Sequence, residues 1–154
     1  MHDRDQNIKQ DIERFMNVEK IISDFEFIDD WEDRYRYVID LGDQLEPYPS
    51  ENKTPETKVQ GCVSQVWLTS ELRVNPEGGD KVLHFTGDSD AHIVRGLIAI
   101  VFGIYSDKTP KDILSINHQE IFQTLDLKDH ISPQRSNGLS AMVKRIQADA
   151  ANAL

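Results

Sequence analysis

The chain has 154 residues and a formal charge of -10, with 17 lysines and arginines against 27 aspartates and glutamates. That balance argues against a nucleic-acid or anionic-membrane partner, because both require clustered cations, while 38% apolar content is too high for a wholly disordered chain. The single cysteine excludes an intramolecular disulfide, a CxxC redox pair and a multi-thiolate zinc site.

The length fits one domain, residues 1–154, with one core. Met1-His2-Asp3-Arg4-Asp5 lacks the basic-then-apolar order of a signal peptide. A cytoplasmic protein is the expectation.

Ile8, Ile12, Phe15, Ile22 and Phe25 recur at mostly helical spacing and predict an amphipathic helix over about residues 5–24. Asp29, with Glu32 three residues on, reads as a capping box opening a second helix through Trp31, Tyr35, Val38 and Leu45. A short link between them predicts an antiparallel helical hairpin.

Pro47, Pro49 and Pro55 then punctuate the stretch Glu46 to Lys58, which predicts an extended surface crossing. The crossing delivers the chain to Val59-Gln60-Gly61-Cys62. β-Branched and aromatic residues in 63–69 and 81–86 predict two antiparallel strands joined by a turn over Asn75–Asp80. Trp67 alternates against Val66 and Leu68, so apolar material is expected on both faces of the first strand.

Asp88-Ser89-Asp90 offers N-caps for a helix whose run Ile93 to Phe102 is apolar on nearly every side, as a central core helix would be. That cluster has too few oxygen ligands for magnesium or calcium, so no metal site is expected. Short helical segments follow at Pro110 and at 118–125. Ser132 and Pro133 predict the cap and first residue of a terminal helix, interrupted at Asn137-Gly138, lined by Leu139, Met142, Val143 and Ile146, and fraying near Ala150. The order is that of an α+β fold, a small antiparallel sheet packed against several helices.

Chemistry centres on Cys62. It follows Gly61 at a loop-to-strand junction, where a thiol is presentable to a partner, and Lys58 four residues earlier would favour the thiolate. A buried structural cysteine is the plain alternative. His84 and His92 are candidate bases, although satisfied or exposed histidines are commoner. Arg135 suits either an anion or a surface salt bridge. Phosphate-loop and GxSxG patterns are absent.

Lys58-Val59-Gln60-Gly61-Cys62-Val63-Ser64-Gln65-Val66-Trp67-Leu68 resembles the signature of the SufE family, the sulfur acceptors of iron–sulfur cluster assembly. The blocks Gly87 to Leu97 and Ser132 to Leu139 resemble that family's helix start and C-terminal block, in the same order. The resemblance implies a SufE/IscU-like fold. It implies that Cys62 takes persulfide sulfur from a SufS-type cysteine desulfurase, stimulates it and passes the sulfur to a SufBCD-type scaffold, so the chain is a carrier and not itself an enzyme. Pyridoxal phosphate would belong to the desulfurase, with no cofactor in this chain. Gln60, Gly61, Ser64, Gln65 and Arg135 would support the loop or touch the partner, and the loop would lie over apolar surface when the protein is free. A homodimer is left open. The competing readings are a non-covalent module that activates the desulfurase with Cys62 structural, and a one-cysteine thiol peroxidase.

Overall fold

A computed structural model of the chain describes residues 17–154. The first half of the expected opening helix, with Ile8, Ile12 and Phe15, lies outside them.

Helix α1 spans Val18–Phe27, starting where the Asn17 side chain accepts the Glu19 N–H at 2.8 Å. Helix α2 spans Trp31–Asp43, and its cap is Asp30 rather than Asp29: Asp30 Oδ1 accepts the Glu32 N–H at 3.0 Å. Asp30 is the last extended residue before the helix, so its carboxylate alone is in reach of the first turn. Arg34 closes the link by donating to Ile28 O (2.6 Å) and Phe25 O (2.8 Å) while its guanidinium covers the Phe25 and Trp31 rings. The expected hairpin is held by such side chains, because α2 packs chiefly against a later helix.

That later helix is α3, His92–Tyr105, where Ile93, Val94 and everything from Gly96 to Tyr105 are buried. It meets α2 backbone to backbone. A Cβ added to Gly96 would lie 2.0 Å from Val38 O, and one added to Gly42 would lie 2.5 Å from Gly96 N. Two glycines thus let the helices cross where any side chain would hold them apart.

Strands β1 (Val66–Arg73) and β2 (Val82–Ser89) pair antiparallel from Val66 opposite Ser89 to Arg73 opposite Val82. Val66, Leu68, Leu83 and Phe85 enter the core. Strand β1 begins later than its apolar residues suggest, because Val63 to Gln65 stay in the loop after Cys62. The far side of β1 is not an apolar layer as expected. Lys53 Nζ lies 4.8 Å above the Trp67 ring and pairs with Asp88 at 3.2 Å, and Tyr48 Oη is 2.6 Å from Thr69 Oγ1. These residues come from the proline-rich crossing, which is folded and not extended throughout. It holds a 3₁₀ turn at Ser50–Asn52 and a further turn in which Lys58 N–H donates to Thr54 O at 3.1 Å.

Also on the far face, buried His84 sits between two carboxylates, with Nε2 2.6 Å from Glu46 Oε1 and Nδ1 2.8 Å from Asp107 Oδ1. The Asp107 hydrogen bond raises its pKa above the usual 6.5, against the opposing effects of burial and Arg73. A raised folded-state pKa gives stability that is fully present below the unfolded value and lost as pH rises through the folded one. Denaturant titrations are therefore expected to show stability falling as pH climbs above about 6.5, with that slope missing in His84→Gln.

Helices α4 (Pro110–Ser115) and α5 (His118–Thr124) are short and capped by Thr109 and Asn117. Helix α6 runs from Pro133 to Asn152, with Ser132 Oγ accepting the Arg135 N–H at 3.2 Å as its cap. It is continuous through Asn137-Gly138 and past Ala150, contrary to the expected break and fraying. Glycine costs a helix only about 1 kcal/mol, and burial of Leu139, Met142, Val143, Ile146 and Ala150 outweighs that. None of the helices among the described residues is long and apolar enough to cross a membrane.

Candidate functional site

The crossing ends by pairing irregularly with the free edge of β1. Leu68 N–H donates to Thr57 O and Val59 N–H donates to Val66 O, both at 2.8 Å. On the other side of the turn, Gln65 N–H donates to Asp90 Oδ1 at 3.0 Å and Asp90 N–H to Gln65 O at 3.4 Å. Only Gln60 to Ser64 lie between these two clamps. Gly61 adopts a φ of 93°, a left-handed conformation that L side chains resist.

This turn lays Cys62 on α6. The thiol is half-buried and donates to Gly138 O at 3.7 Å, and a Cβ added at Gly138 would meet Sγ at an ordinary contact distance of 3.6 Å. Gly138 is therefore a seat for the sulfur, not a helix break. Burial pushes the Cys62 thiol above its ordinary pKa. Lys58 does not supply the activating charge expected of it: it is exposed, bridged to Trp67, and burial is what shifts the thiol. That burial disfavours the thiolate, the nucleophilic form.

Beside Sγ opens a cavity of about 320 Å³. Its floor is Val66, Val94, Leu97 and Met142, and its rim is Val63, Ser64, Ser132, Gln134 and Arg135. No histidine, lysine or carboxylate lines it. His84 is occupied elsewhere and His92 is exposed at the start of α3, so neither serves Cys62 as a base. Among the described residues no group of three or more His, Cys, Asp and Glu side chains could hold a metal.

Of the residues singled out in the sequence, Ser64 and Arg135 line the cavity with Cys62, and Gly61 makes the turn. Gln60 and Gln65 are exposed outside it, Gln65 contributing its backbone. Arg135 lies in the first turn of an unbroken helix, not at an interruption. Sequence reasoning missed Gly138, Gln134 and Ser132 as cavity residues. A glycine within a helical apolar pattern was the available signal for Gly138.

Asp88, Ser89 and Asp90 do not cap α3, whose cap residue is Ala91 with no side-chain bond. Asp88 pairs with Arg95 at 3.0 Å, Ser89 Oγ accepts the Ala91 N–H, and Asp90 holds the loop. Asp90→Ala is expected to speed alkylation of Cys62 by iodoacetamide about threefold to tenfold, since an exposed charge-assisted bond contributes about 1 kcal/mol. The measurement is the pseudo-first-order alkylation rate against wild type.

A family model described as "SufE: Fe-S metabolism associated domain" matches residues 19–150. An uncharacterized SufE-like protein of Rhizobium etli is 52% identical over 134 residues, covering 87% of this chain and 89% of its own. Another, of Rhizobium meliloti, is 50% identical over 134 residues, with 87% and 94% covered. The solution structure of a hypothetical protein from Thermus thermophilus superposes with a TM-score of 0.69 at 17% identity, covering 88% of this chain and 94% of that one, and it supports the fold. Matched over most of its length by the family model and by relatives half identical to it, the chain belongs to the SufE family of iron–sulfur metabolism.

Proposed function

We propose that Cys62 is a covalent sulfur acceptor for a SufS-type cysteine desulfurase, working in the cytoplasm and handing its sulfur to a SufBCD-type scaffold. The observation that carries this reading is the placement of the lone thiol. It sits at the tip of a five-residue turn, half-buried over an apolar-floored cavity, in a chain of the SufE family.

The chemistry is thiol exchange. Cys62 thiolate attacks the outer sulfur of the desulfurase persulfide, a new S–S bond forms on Cys62, and the desulfurase cysteine leaves as thiolate. Pyridoxal phosphate acts earlier, on the desulfurase, to free that sulfur from cysteine. Burial disfavours the Cys62 thiolate in the free protein, so docking that lifts Sγ from Gly138 and out of its apolar surroundings favours attack. Ionisation is thereby favoured on the partner, which suits a carrier whose loaded form reacts with stray oxidants and thiols. Gln60, Gly61, Ser64 and Gln65 supply the moving turn and its hinge.

The test is intact mass after mixing the protein with a SufS-type desulfurase and free cysteine. A gain of one sulfur atom, removed by reductant, is the expected result. No gain under conditions where the desulfurase turns over would overturn the reading.

A further inference from the structure

We infer that the cavity beside Cys62 binds the carboxylate of a small thiol through Arg135, so that such a thiol can collect sulfur directly from Cys62. The second half of this inference rests on the persulfide reading above; the carboxylate site does not.

Arg135 is the observation that points to a ligand. Every other described arginine is engaged: Arg34 on two carbonyls, and Arg36, Arg73, Arg95 and Arg145 on carboxylates. The Arg135 guanidinium has no such partner among the described residues, yet it lines the same half-open cavity as the thiol. Five N–H donors in a planar fork match a carboxylate in two-pronged fashion. Ser64 and Gln134 add uncharged hydrogen-bonding groups on the same rim, while Leu97 and Met142 form a floor suited to a short methylene stem. The volume of about 320 Å³ lies at the small end of small-molecule sites, which run from about 300 to 1,000 Å³. A bare inorganic anion would leave that apolar floor uncovered, whereas the methylene stem of a small thiol carboxylate covers part of it.

The transfer balances without an oxidant. The small thiol's sulfur attacks the outer sulfur of the Cys62 persulfide, its S–H proton passes to the departing Cys62 sulfur, and the products are Cys62 thiol and a small-molecule persulfide. A whole-protein field of -10 repels anions, so any preference for a carboxylate reagent at Cys62 has to arise locally.

Two reagents that differ in charge test the site on the unloaded protein. Iodoacetate and iodoacetamide alkylate Cys62, and the ratio of their rates is measured for wild type, Arg135→Gln and Arg135→Lys. The expected result is a saturable iodoacetate reaction and a ratio about tenfold higher in wild type than in Arg135→Gln, with Arg135→Lys between them. Equal ratios in wild type and Arg135→Gln, with both proteins folded by circular dichroism, overturn the carboxylate site whatever the desulfurase experiment gives. The second arm uses protein persulfidated chemically with sodium polysulfide. At equal thiolate concentration, 3-mercaptopropionate should unload Cys62 about tenfold faster than 2-mercaptoethanol in wild type and lose that margin in Arg135→Gln. Equal unloading by the two thiols in wild type overturns the collection step. A desulfurase that fails to load Cys62 overturns the proposed function and leaves the alkylation result standing.

Discussion

Cys62→Ser is expected to take up no sulfur and to leave a SufS-type desulfurase at its unassisted rate. Serine keeps the size of the side chain, and its hydroxyl can still donate to Gly138 O, where the thiol now points. The loop clamps at Val59 and Asp90 involve backbone and carboxylate groups that the substitution does not touch. Docking should therefore survive, and a pull-down or titration calorimetry with the desulfurase is expected to report unchanged affinity. What is lost is the sulfur nucleophile. An alcohol is essentially un-ionised at neutral pH and forms no persulfide, so the step has no slow alternative route. The two measurements together separate a carrier from a purely activating partner: a variant that binds and still stimulates turnover would make Cys62 structural. Sulfenic acid on Cys62 during turnover with peroxide would instead favour the peroxidase reading.

Gly96→Ala carries the largest expected effect on stability. The new Cβ would lie 2.0 Å from Val38 O and 2.6 Å from its carbonyl carbon, and both are backbone atoms in the middle of α2. No rotamer change relieves that contact, so α2 and α3 must move apart along the main helix–helix interface of the fold. Overpacking generally costs about 1–3 kcal/mol, and a backbone-to-backbone clash belongs at or beyond the upper end. The intrinsic helix preference of alanine returns about 1 kcal/mol. A net loss of about 2 kcal/mol or more corresponds to a fall in Tm of about 4–8 °C for a domain of this size, measurable by calorimetry. Gly138→Ala is the matched contrast. Its Cβ meets Sγ at 3.6 Å, an ordinary contact, so helix propensity should decide and leave stability equal or slightly higher.

The sequence periodicities located both strands and the helices of the described region, because burial in this fold is strongly patterned. Ile93 to Phe102 reads as a core helix from composition alone, and it is one. What escaped were features decided by contacts distant in sequence. Asp90 has the composition of a cap and acts on a loop 25 residues earlier. Gly138 looks like a break until Cys62 is placed against it from 76 residues away. Lys58 is near Cys62 in sequence, but its backbone pairs with Trp67 and burial is what shifts the thiol. Likewise, the identity of the candidate nucleophile was legible in a short string around Cys62, whereas its raised pKa was not, because burial is a property of the assembled core.

The pairing of Val59 with Val66 also sets a length. Cys62 is three residues from the first clamp, and a fully extended chain advances about 3.3–3.6 Å per residue. The Cys62 Cα can therefore travel only about 10 Å from Val59 before the Val59–Val66 hydrogen bond has to break. A tether that short does not search for its donor. Whatever molecule delivers sulfur must bring it almost to the surface of this protein, on a reach of its own.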